Sequence, residues 1–205
     1  MHKYKTIIIG LLVITLGTAS LGAQEPDGEN EEGFVPKYSL GDQSLGVNLG
    51  MLIPLFFTGG PGGVEGANLS LGGAGSLAWS SYLTNNTKLG IELGGTFALT
   101  ANRRTLFMVP IALTGSYVFR PYPWEFPISM GVGINISALE DARKTDPFVK
   151  IGGSAMWNFS TQWAFGANLH WWLIPQIYLD RSPAGSEESR LGNFLALTFS
   201  AVYNF

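Results

Sequence analysis

The sequence predicts an all-β protein, an eight-stranded antiparallel up-and-down β-barrel that crosses a membrane. Three observations support this prediction. Apolar residues alternate with small or polar ones in eight segments, each long enough to cross a bilayer as a tilted strand. The number of segments is even, and short turns alternate with longer, more charged loops. The last segment runs to the C-terminal Phe205, and only a closed barrel would leave such a strand without an exposed edge.

The N-terminal region has the pattern of a secretory signal peptide. Residues 1–23 combine a basic start, a short apolar run and small residues that offer cleavage sites up to Ala23. The apolar run is too short to span a membrane as a helix, which makes a retained anchor the weaker alternative. Residues 24–42 form an acidic periplasmic leader that we expect to be largely disordered. The barrel occupies residues 43–205.

Composition excludes several classes of function. The chain has no cysteine, which rules out disulfides, thiolate metal sites, catalytic thiols and a lipidated N-terminal cysteine. Residues 1–23 contain two of the 12 basic residues and none of the 15 acidic ones, so the mature chain has a net charge of −5. An acidic chain is poorly suited to a phosphate backbone, and we expect no nucleic-acid partner.

The first four segments place their apolar side chains at odd positions. In the first segment all seven odd positions from 45 to 57 are apolar, whereas its even positions begin Ser, Gly, Asn, Gly. The next three set Leu, Ile, Phe and Trp against Ser, Ala, Gly, Thr and Asn in the same way. These segments are Ser44–Phe57, Asn68–Leu83, Lys88–Thr100 and Thr105–Phe119.

The fifth segment changes phase, because Ile128, Met130 and Val132 occupy even positions while Ser129 and Gly131 lie between them. The last three segments return to odd apolar positions. A change of phase across a turn keeps the apolar face on the same side of the sheet. The remaining segments are Ile128–Leu139, Phe148–Phe159, Trp163–Leu179 and Leu191–Phe205.

The connectors predict the orientation of the barrel. With a periplasmic N-terminus, short turns at 84–87, 120–126 and 160–162 lie in the periplasm. The longer connectors are extracellular; they are 59–66, 101–104, 140–146 and 180–190. Aromatic residues near the periplasmic rim would form the interfacial girdle of such a barrel. They are Tyr82, Tyr117, Phe119, Trp157, Phe159, Trp163, Tyr203 and Phe205.

A soluble eight-stranded barrel of the lipocalin type is the competing architecture. Such a barrel packs its apolar face inside and exposes polar residues to water. Here the bulky apolar face carries almost no charge, and the opposite face is rich in Gly, Ser, Ala and Asn. A wall of Leu, Ile, Val and Phe around a lumen of small and polar residues favours lipid outside, which predicts an outer-membrane protein with lipid as its surroundings.

The inward-facing residues predict an apolar pocket above a polar floor. In the outer half of the lumen we expect a binding pocket or channel lined by Leu52, Phe56, Met108, Phe148, Trp172, Ile174, Tyr178 and Phe194. Below it we expect a floor of Glu92, Lys150, Asn168 and His170, in which Glu92 pairs with Lys150 or with Lys88. A small hydrophobic ligand suits such a pocket. The alternative is that these side chains simply fill a barrel too narrow to be hollow.

Two further features were weighed for function. Pro54 and Pro110 each remove a hydrogen-bond donor from the wall and mark sites for a lateral opening toward the bilayer; a kink without a transport role is the alternative for either. His170 is the only histidine of the mature chain. Without visible companions it is expected to be a hydrogen-bonded lumen side chain rather than a metal ligand or a catalytic base. We therefore expect no enzyme activity, no metal and no cofactor.

The middle of the chain resembles a known family. The resemblance is to the fourth and fifth strands of the OmpW family of small outer-membrane barrels, within the wider class of OmpA-like barrels. It is carried by Pro110–Phe119, a proline-containing turn and then Met130–Asn135. The stretch 163–178 and the terminal Tyr203-Asn204-Phe205 fit the same layout. The short connector at 101–104 departs from it, which puts an extended outer vestibule in doubt.

The resemblance implies a narrow hydrophobic channel that passes small apolar molecules and releases them sideways. It also implies a partner, because the C-terminal strand with Tyr203 and Phe205 resembles the signal read by the barrel assembly machinery, with Ser200 where Gly is common. The leading hypothesis is an outer-membrane barrel that binds or conducts small hydrophobic molecules. The alternative is a structural or surface-exposed protein whose outer loops contact host molecules or antibodies.

Overall fold

The computed structural model describes residues 38–59, 63–100, 104–139, 142–176 and 189–205. These residues form one antiparallel sheet of eight long strands and one short strand. The strands are β1 (Gln43–Thr58), β2 (Val64–Gly66), β3 (Gly72–Tyr82), β4 (Thr87–Leu99), β5 (Thr105–Phe119), β6 (Trp124–Leu139), β7 (Ala142–Asn158), β8 (Trp163–Gln176) and β9 (Arg190–Asn204). No helix in the described ranges is long and apolar enough to cross a membrane.

The sheet closes on itself through its first and last long strands. Each long strand pairs with the next along the chain, and β1 pairs with β9 from Ser44–Asn204 to Thr58–Leu191. Backbone hydrogen bonds between Gln43 and Phe205 in both directions, at 2.8 and 2.9 Å, extend this closure to the last residue. Closure leaves no long strand with an unpaired edge. The predicted eight-stranded antiparallel barrel is confirmed.

The alternation of the sequence determines which face of each strand points outward. Leu49 and Met130, on strands of opposite phase, are 66% and 57% exposed, whereas Leu52 is fully buried. The exposed face is a continuous apolar wall, and the opposite face lines a narrow interior. The phase change at the fifth segment is present in β6, where residues 131 and 135 point inward. A membrane is the solvent that such a wall matches.

The two ends of the barrel differ. The end that carries both chain termini of the barrel and the connectors 83–86, 120–123 and 159–162 is called the turn end. The opposite end carries the longer connectors and is called the loop end. The predicted loops at 59–66, 101–104 and 180–190 lie partly outside the described residues. Tyr178, predicted to line the outer pocket, also lies outside them. The predicted signal peptide and most of the predicted leader lie outside them as well.

Several predicted boundaries were wrong. The predicted loop 140–146 is mostly strand, because β6 and β7 continue to pair up to Leu139 and Ala142. The second segment was expected to start at Asn68, but β3 starts at Gly72, and Leu69 instead makes an isolated bridge to Thr100. A side chain at position 72 would meet the Phe97 carbonyl oxygen at 2.0 Å, so the strands approach more closely there than any residue but glycine allows. The short strand β2 was not predicted.

Candidate functional site: the barrel lumen

The loop-end half of the lumen is filled by apolar side chains. Phe148 and Trp172 meet edge to face, with ring centroids 5.1 Å apart. Small alanines on β3, β5 and β9 leave room for these large rings. We call this set the apolar layer; its members are Leu52, Ala74, Met108, Ala112, Phe148, Trp172, Ile174, Phe194 and Ala196.

The apolar layer contains six of the eight residues predicted to line an outer pocket. All six are at most 5% exposed, so they pack against one another instead of surrounding an open pocket. Phe56 is only partly buried and lies outside the layer. The structure therefore brings the predicted set together, but as a packed layer.

A cavity of about 140 Å³ lies directly below the apolar layer. Trp172, Ala74 and Ala196 belong to both the layer and the cavity wall, so they form an apolar roof. The rest of the wall is mostly small or polar and includes all four predicted floor residues, Glu92, Lys150, Asn168 and His170. A volume of this size accommodates several water molecules or a small organic molecule. The open space in the lumen is thus in the half that was predicted to be the floor.

Lys150 pairs with Glu92 inside the cavity. The Lys150 ammonium donates a hydrogen bond to Glu92 Oε2, and its side chain is only 3% exposed. The register of β7 places Lys150 opposite Trp172, immediately beneath the apolar roof. Of the two partners considered for Glu92, the structure selects Lys150. An ion pair at this depth satisfies two charges that would be costly alone.

Hydrogen-bonded amides and hydroxyls complete the floor. Asn168 donates to Thr198 Oγ1 at 2.9 Å, and Asn48 donates to Ser76 Oγ at 2.8 Å. The Ser129 hydroxyl and His170 Nε2 share a hydrogen bond of 2.9 Å. His170 is thus a hydrogen-bonded lumen side chain. Among the described residues no cluster of carboxylates and histidines has the arrangement of a metal site.

The turn end of the lumen is closed by a stack of side chains. The rings of Tyr38 and Tyr82 lie parallel with centroids 4.1 Å apart, and the Arg120 guanidinium lies 4.6 Å from the Tyr38 ring centroid. Arg120 Nε donates to Glu125 Oε1 at 3.0 Å, and Arg120 Nη1 donates to Asn85 Oδ1 at 3.2 Å. We call Tyr38, Tyr82 and Arg120 the turn-end stack. Parallel rings beside a guanidinium pack across this end of the barrel.

Tyr38 belongs to the segment assigned to the leader, yet it is integrated into the barrel. Its backbone N–H donates to Asn85 Oδ1 at 2.9 Å, which holds the chain against the first turn. Burial, with a smaller contribution from the Glu125 carboxylate, raises the pKa of Tyr38 to about 12. The phenol is therefore neutral at physiological pH, as a ring enclosed by the lumen requires.

Tyr82 was predicted to belong to the exposed aromatic girdle, and this was wrong. It is fully buried and points inward, because it has the even parity of the inward residues of β3. The other predicted girdle residues surround the turn end on the outside, with Trp157 and Trp163 each 43% exposed. The prediction for Tyr82 used only its position near the end of the strand. Its even residue number, shared with the inward residues of β3, would have predicted the lumen correctly.

Lys88 extends into the cavity from the turn-end side. Its ammonium lies 4.5 Å from the centroid of the Tyr82 ring, and the side chain lines the cavity wall. Within the described part of the chain it makes no ion pair and donates no hydrogen bond. The Lys88 cation therefore lies against an aromatic face and makes no direct contact with a carboxylate of the described residues.

The barrel wall has a defect beside the apolar layer at Pro110. The β4–β5 ladder runs through Leu93–Ile111 and resumes at Thr96–Met108. Gly94 and Gly95 between them have no partners on β5, because Pro110 has no N–H to donate to β4, although both still pair with β3. A Cβ at position 94 would meet Pro110 Cγ at 2.7 Å, which explains the glycine.

Pro54 marks a second irregularity at the same level. The β1–β3 ladder ends at Leu52–Gly72, and the β1–β9 register shifts between Pro54 and Phe56. Pro54 lies opposite Phe194 of the apolar layer. Both predicted prolines thus coincide with interruptions of the wall next to the apolar layer.

Comparison with known proteins places this architecture in a class. One protein-family model matches residues 25–203, and the chain belongs to the family that this model describes. The chain is 26% identical over 185 residues to an uncharacterized protein of Borreliella burgdorferi, covering 80% of this chain and 83% of that protein. It is 23% identical over 176 residues to an uncharacterized protein of Treponema pallidum, covering 80% of this chain and 78% of that protein.

Solved structures show the same fold at low sequence identity. Neisserial surface protein A is 9% identical with a TM-score of 0.60, covering 80% of this chain and 97% of that one. The outer membrane protein OprG from Pseudomonas aeruginosa is 9% identical with a TM-score of 0.53, covering 84% of this chain and 99% of that one. The chain therefore has the fold of small eight-stranded outer-membrane β-barrels.

Proposed function

We propose that this protein is an outer-membrane β-barrel that binds small hydrophobic molecules inside its lumen. The single observation that carries the proposal is the cavity of about 140 Å³, roofed by Trp172, Ala74 and Ala196 and adjoining the apolar layer. A cavity beneath an apolar roof favours the transfer of a hydrophobic molecule from water or lipid. A binding pocket is favoured over a permanently open channel, because packed side chains lie above the cavity and the turn-end stack lies below it.

Orientation follows the usual arrangement of such barrels. With the N-terminus in the periplasm, the turn end faces the periplasm and the loop end faces the outside. The exposed apolar wall faces membrane lipid. The terminal strand with Tyr203 and Phe205 would then be read by the barrel assembly machinery, and the resemblance to the OmpW family fits this arrangement.

A lateral route gives a hydrophobic molecule access to the cavity. Pro110 lies between Met108 and Ala112 on the inward face of β5, at the level of the apolar layer. The missing pairs between β5 and Gly94 and Gly95 weaken this part of the wall. Movement of the Met108 side chain, which is flexible, would connect the cavity with the bilayer.

Binding of naphthalene to the purified protein in phosphatidylcholine vesicles tests the proposal. Ala196→Trp, which places a large ring at the cavity roof, is expected to abolish the binding that the wild type shows. Ala201→Trp is the matched control, because it lies on the same strand but on its lipid-facing side, where aromatic residues near the interface are tolerated.

The shift in gel mobility between unheated and heated samples checks that each variant has folded. Trp172→Ala, which enlarges the cavity, is expected to bind naphthalene at least as well as the wild type. Absence of naphthalene binding to the folded wild-type barrel would overturn the proposed function.

A structural or surface-contact role is the second candidate. It is favoured by the closure of the lumen at two levels, by the apolar layer and by the turn-end stack. In that case the apolar layer is simply the core of the barrel, and the loops carry the function. Deletion of residues 182–189, of which all but the last lie outside the described ranges, would then abolish contact with host molecules or antibodies and leave naphthalene binding unchanged.

A further inference from the structure

Among the described residues, one positive charge at the cavity has no carboxylate bonded to it. Among the described residues that line it, the acids are Glu92 and Glu125 and the lysines are Lys88 and Lys150. Glu92 is paired with Lys150, and Glu125 is bound by Arg120 at 3.0 Å. Both carboxylates therefore have partners of their own. The Lys88 ammonium remains, facing the cavity with donors available.

Lys88 is fixed in a position that keeps it directed at the cavity. The Tyr82 ring supports the ammonium from the turn-end side, at 4.5 Å, and Tyr82 is itself fully buried under Tyr38. Ser116 lies opposite Lys88 on β5 and also lines the cavity. A desolvated ammonium attracts an anion more strongly than one in bulk water does.

The other end of the cavity is apolar. Trp172, Ala74 and Ala196 form the roof, and the register places Trp172 opposite Lys150, which reaches Glu92. Lys88 and Glu92 are four residues apart on β4, about 13 Å along a strand at the usual rise per residue. A molecule that occupies the whole cavity therefore meets a cation at one end and an apolar surface at the other.

We propose that the cavity binds a small monocarboxylic acid with an apolar body. The carboxylate lies at Lys88, where one negative charge balances the one unpaired cation, and the body lies against Trp172, Ala74 and Ala196. A doubly charged phosphate would leave excess negative charge beside Glu92 and Glu125, which disfavours it. The inference rests on the proposed binding function and specifies the chemical class of the ligand.

A matched pair of probes tests the proposal. Naphthalene and 1-naphthoate share one apolar body and differ by the carboxylate, and the binding of each to the purified protein is measured in phosphatidylcholine vesicles. Lys88→Met is expected to weaken 1-naphthoate binding about tenfold, because a hydrogen bond to a charged group is lost. Naphthalene binding should be unchanged, since the aliphatic body of Met fills the same space.

Two control variants separate charge at this site from charge in general. Lys88→Arg keeps the cation and is expected to retain most of the 1-naphthoate affinity. Arg190→Met removes a cation at the loop end, where Arg190 pairs with Glu65 at 2.9 Å, and is expected to leave both probes unaffected. If Arg190→Met weakened 1-naphthoate binding as much as Lys88→Met, the net charge of the protein would be the cause and the proposal would be wrong.

The outcomes distinguish this inference from the function on which it rests. If neither probe binds, the proposed binding function fails. If naphthalene and 1-naphthoate both bind and Lys88→Met changes neither, the lumen binds hydrophobic molecules but Lys88 does not select a carboxylate. Loss of 1-naphthoate binding alone in Lys88→Met, with recovery in Lys88→Arg, supports the inference.

Discussion

Glu92 and Lys150 show how single residues are accommodated in the interior of this barrel. Their side chains are 17% and 3% exposed and face each other across the lumen from β4 and β7. Neither charge has the bulk water that would solvate it alone, so each depends on the other. The pair also crosses the cavity, which links two walls that share no backbone hydrogen bonds.

Lys150→Met is expected to destabilise the barrel by about 3 kcal/mol, because it leaves the Glu92 carboxylate in the lumen without its partner. Urea titration of the protein in lipid vesicles measures this loss. The double variant Glu92→Gln with Lys150→Met removes both charges and is expected to recover most of it. Equal losses in the single and double variants would mean that the pair contributes nothing beyond packing.

At the scale of the strand, two prolines interrupt two separate ladders in the same way. Pro110 removes two pairs from the β4–β5 ladder, and Pro127 does the same between Glu125–Met156 and Ile128–Gly153 in the β6–β7 ladder. The first defect lies beside the apolar layer and the second near the turn end. A backbone donor is missing in both cases, but only the first adjoins the proposed entrance.

Pro110→Val is expected to restore the donor toward Gly94 and to stabilise the barrel by about 1 kcal/mol, the usual net value of one hydrogen bond. It should also slow the entry of naphthalene from the bilayer, measured by stopped-flow fluorescence. Pro127→Val is the matched control, expected to give a similar stabilisation without slowing entry. Equal entry rates in the wild type and Pro110→Val would place the entrance elsewhere.

At the scale of the whole molecule, two barriers lie in series along the lumen. The apolar layer blocks the loop-end half, and the turn-end stack blocks the other end, with the cavity between them. An ion would have to cross both, and a layer of Phe, Trp and Leu offers it no ligand in place of water. The arrangement predicts a barrel that holds a molecule without conducting ions.

Planar-bilayer recordings test this closure. The wild type is expected to be silent, and so are Tyr38→Ala and Trp172→Ala alone, because each leaves one barrier in place. The double variant is expected to show small, discrete conductance steps. Tyr122→Ala combined with Trp172→Ala is the control, since Tyr122 is 44% exposed and lies outside the stack. Conductance in Tyr38→Ala alone would mean that the apolar layer is not a barrier.

The architecture could be predicted from the pattern of residues along the chain. Strict alternation assigned each strand an outer and an inner face, and the change of phase at Ile128 was readable because a slip by one residue exchanges the two faces. The even number of segments and the terminal Phe205 predicted closure. The same alternation identified six residues of the apolar layer and all four residues of the floor.

Tertiary structure alone decided what these inward residues do. Alternation gives the direction of a side chain but not its height relative to other strands, which depends on the stagger of the closed barrel. Stagger brought Lys150 of β7 within reach of Glu92 on β4, and it placed the cavity in the polar half. Tyr38 lies before the first strand and follows no alternation, so only the folded chain could bring it against Tyr82 and Arg120.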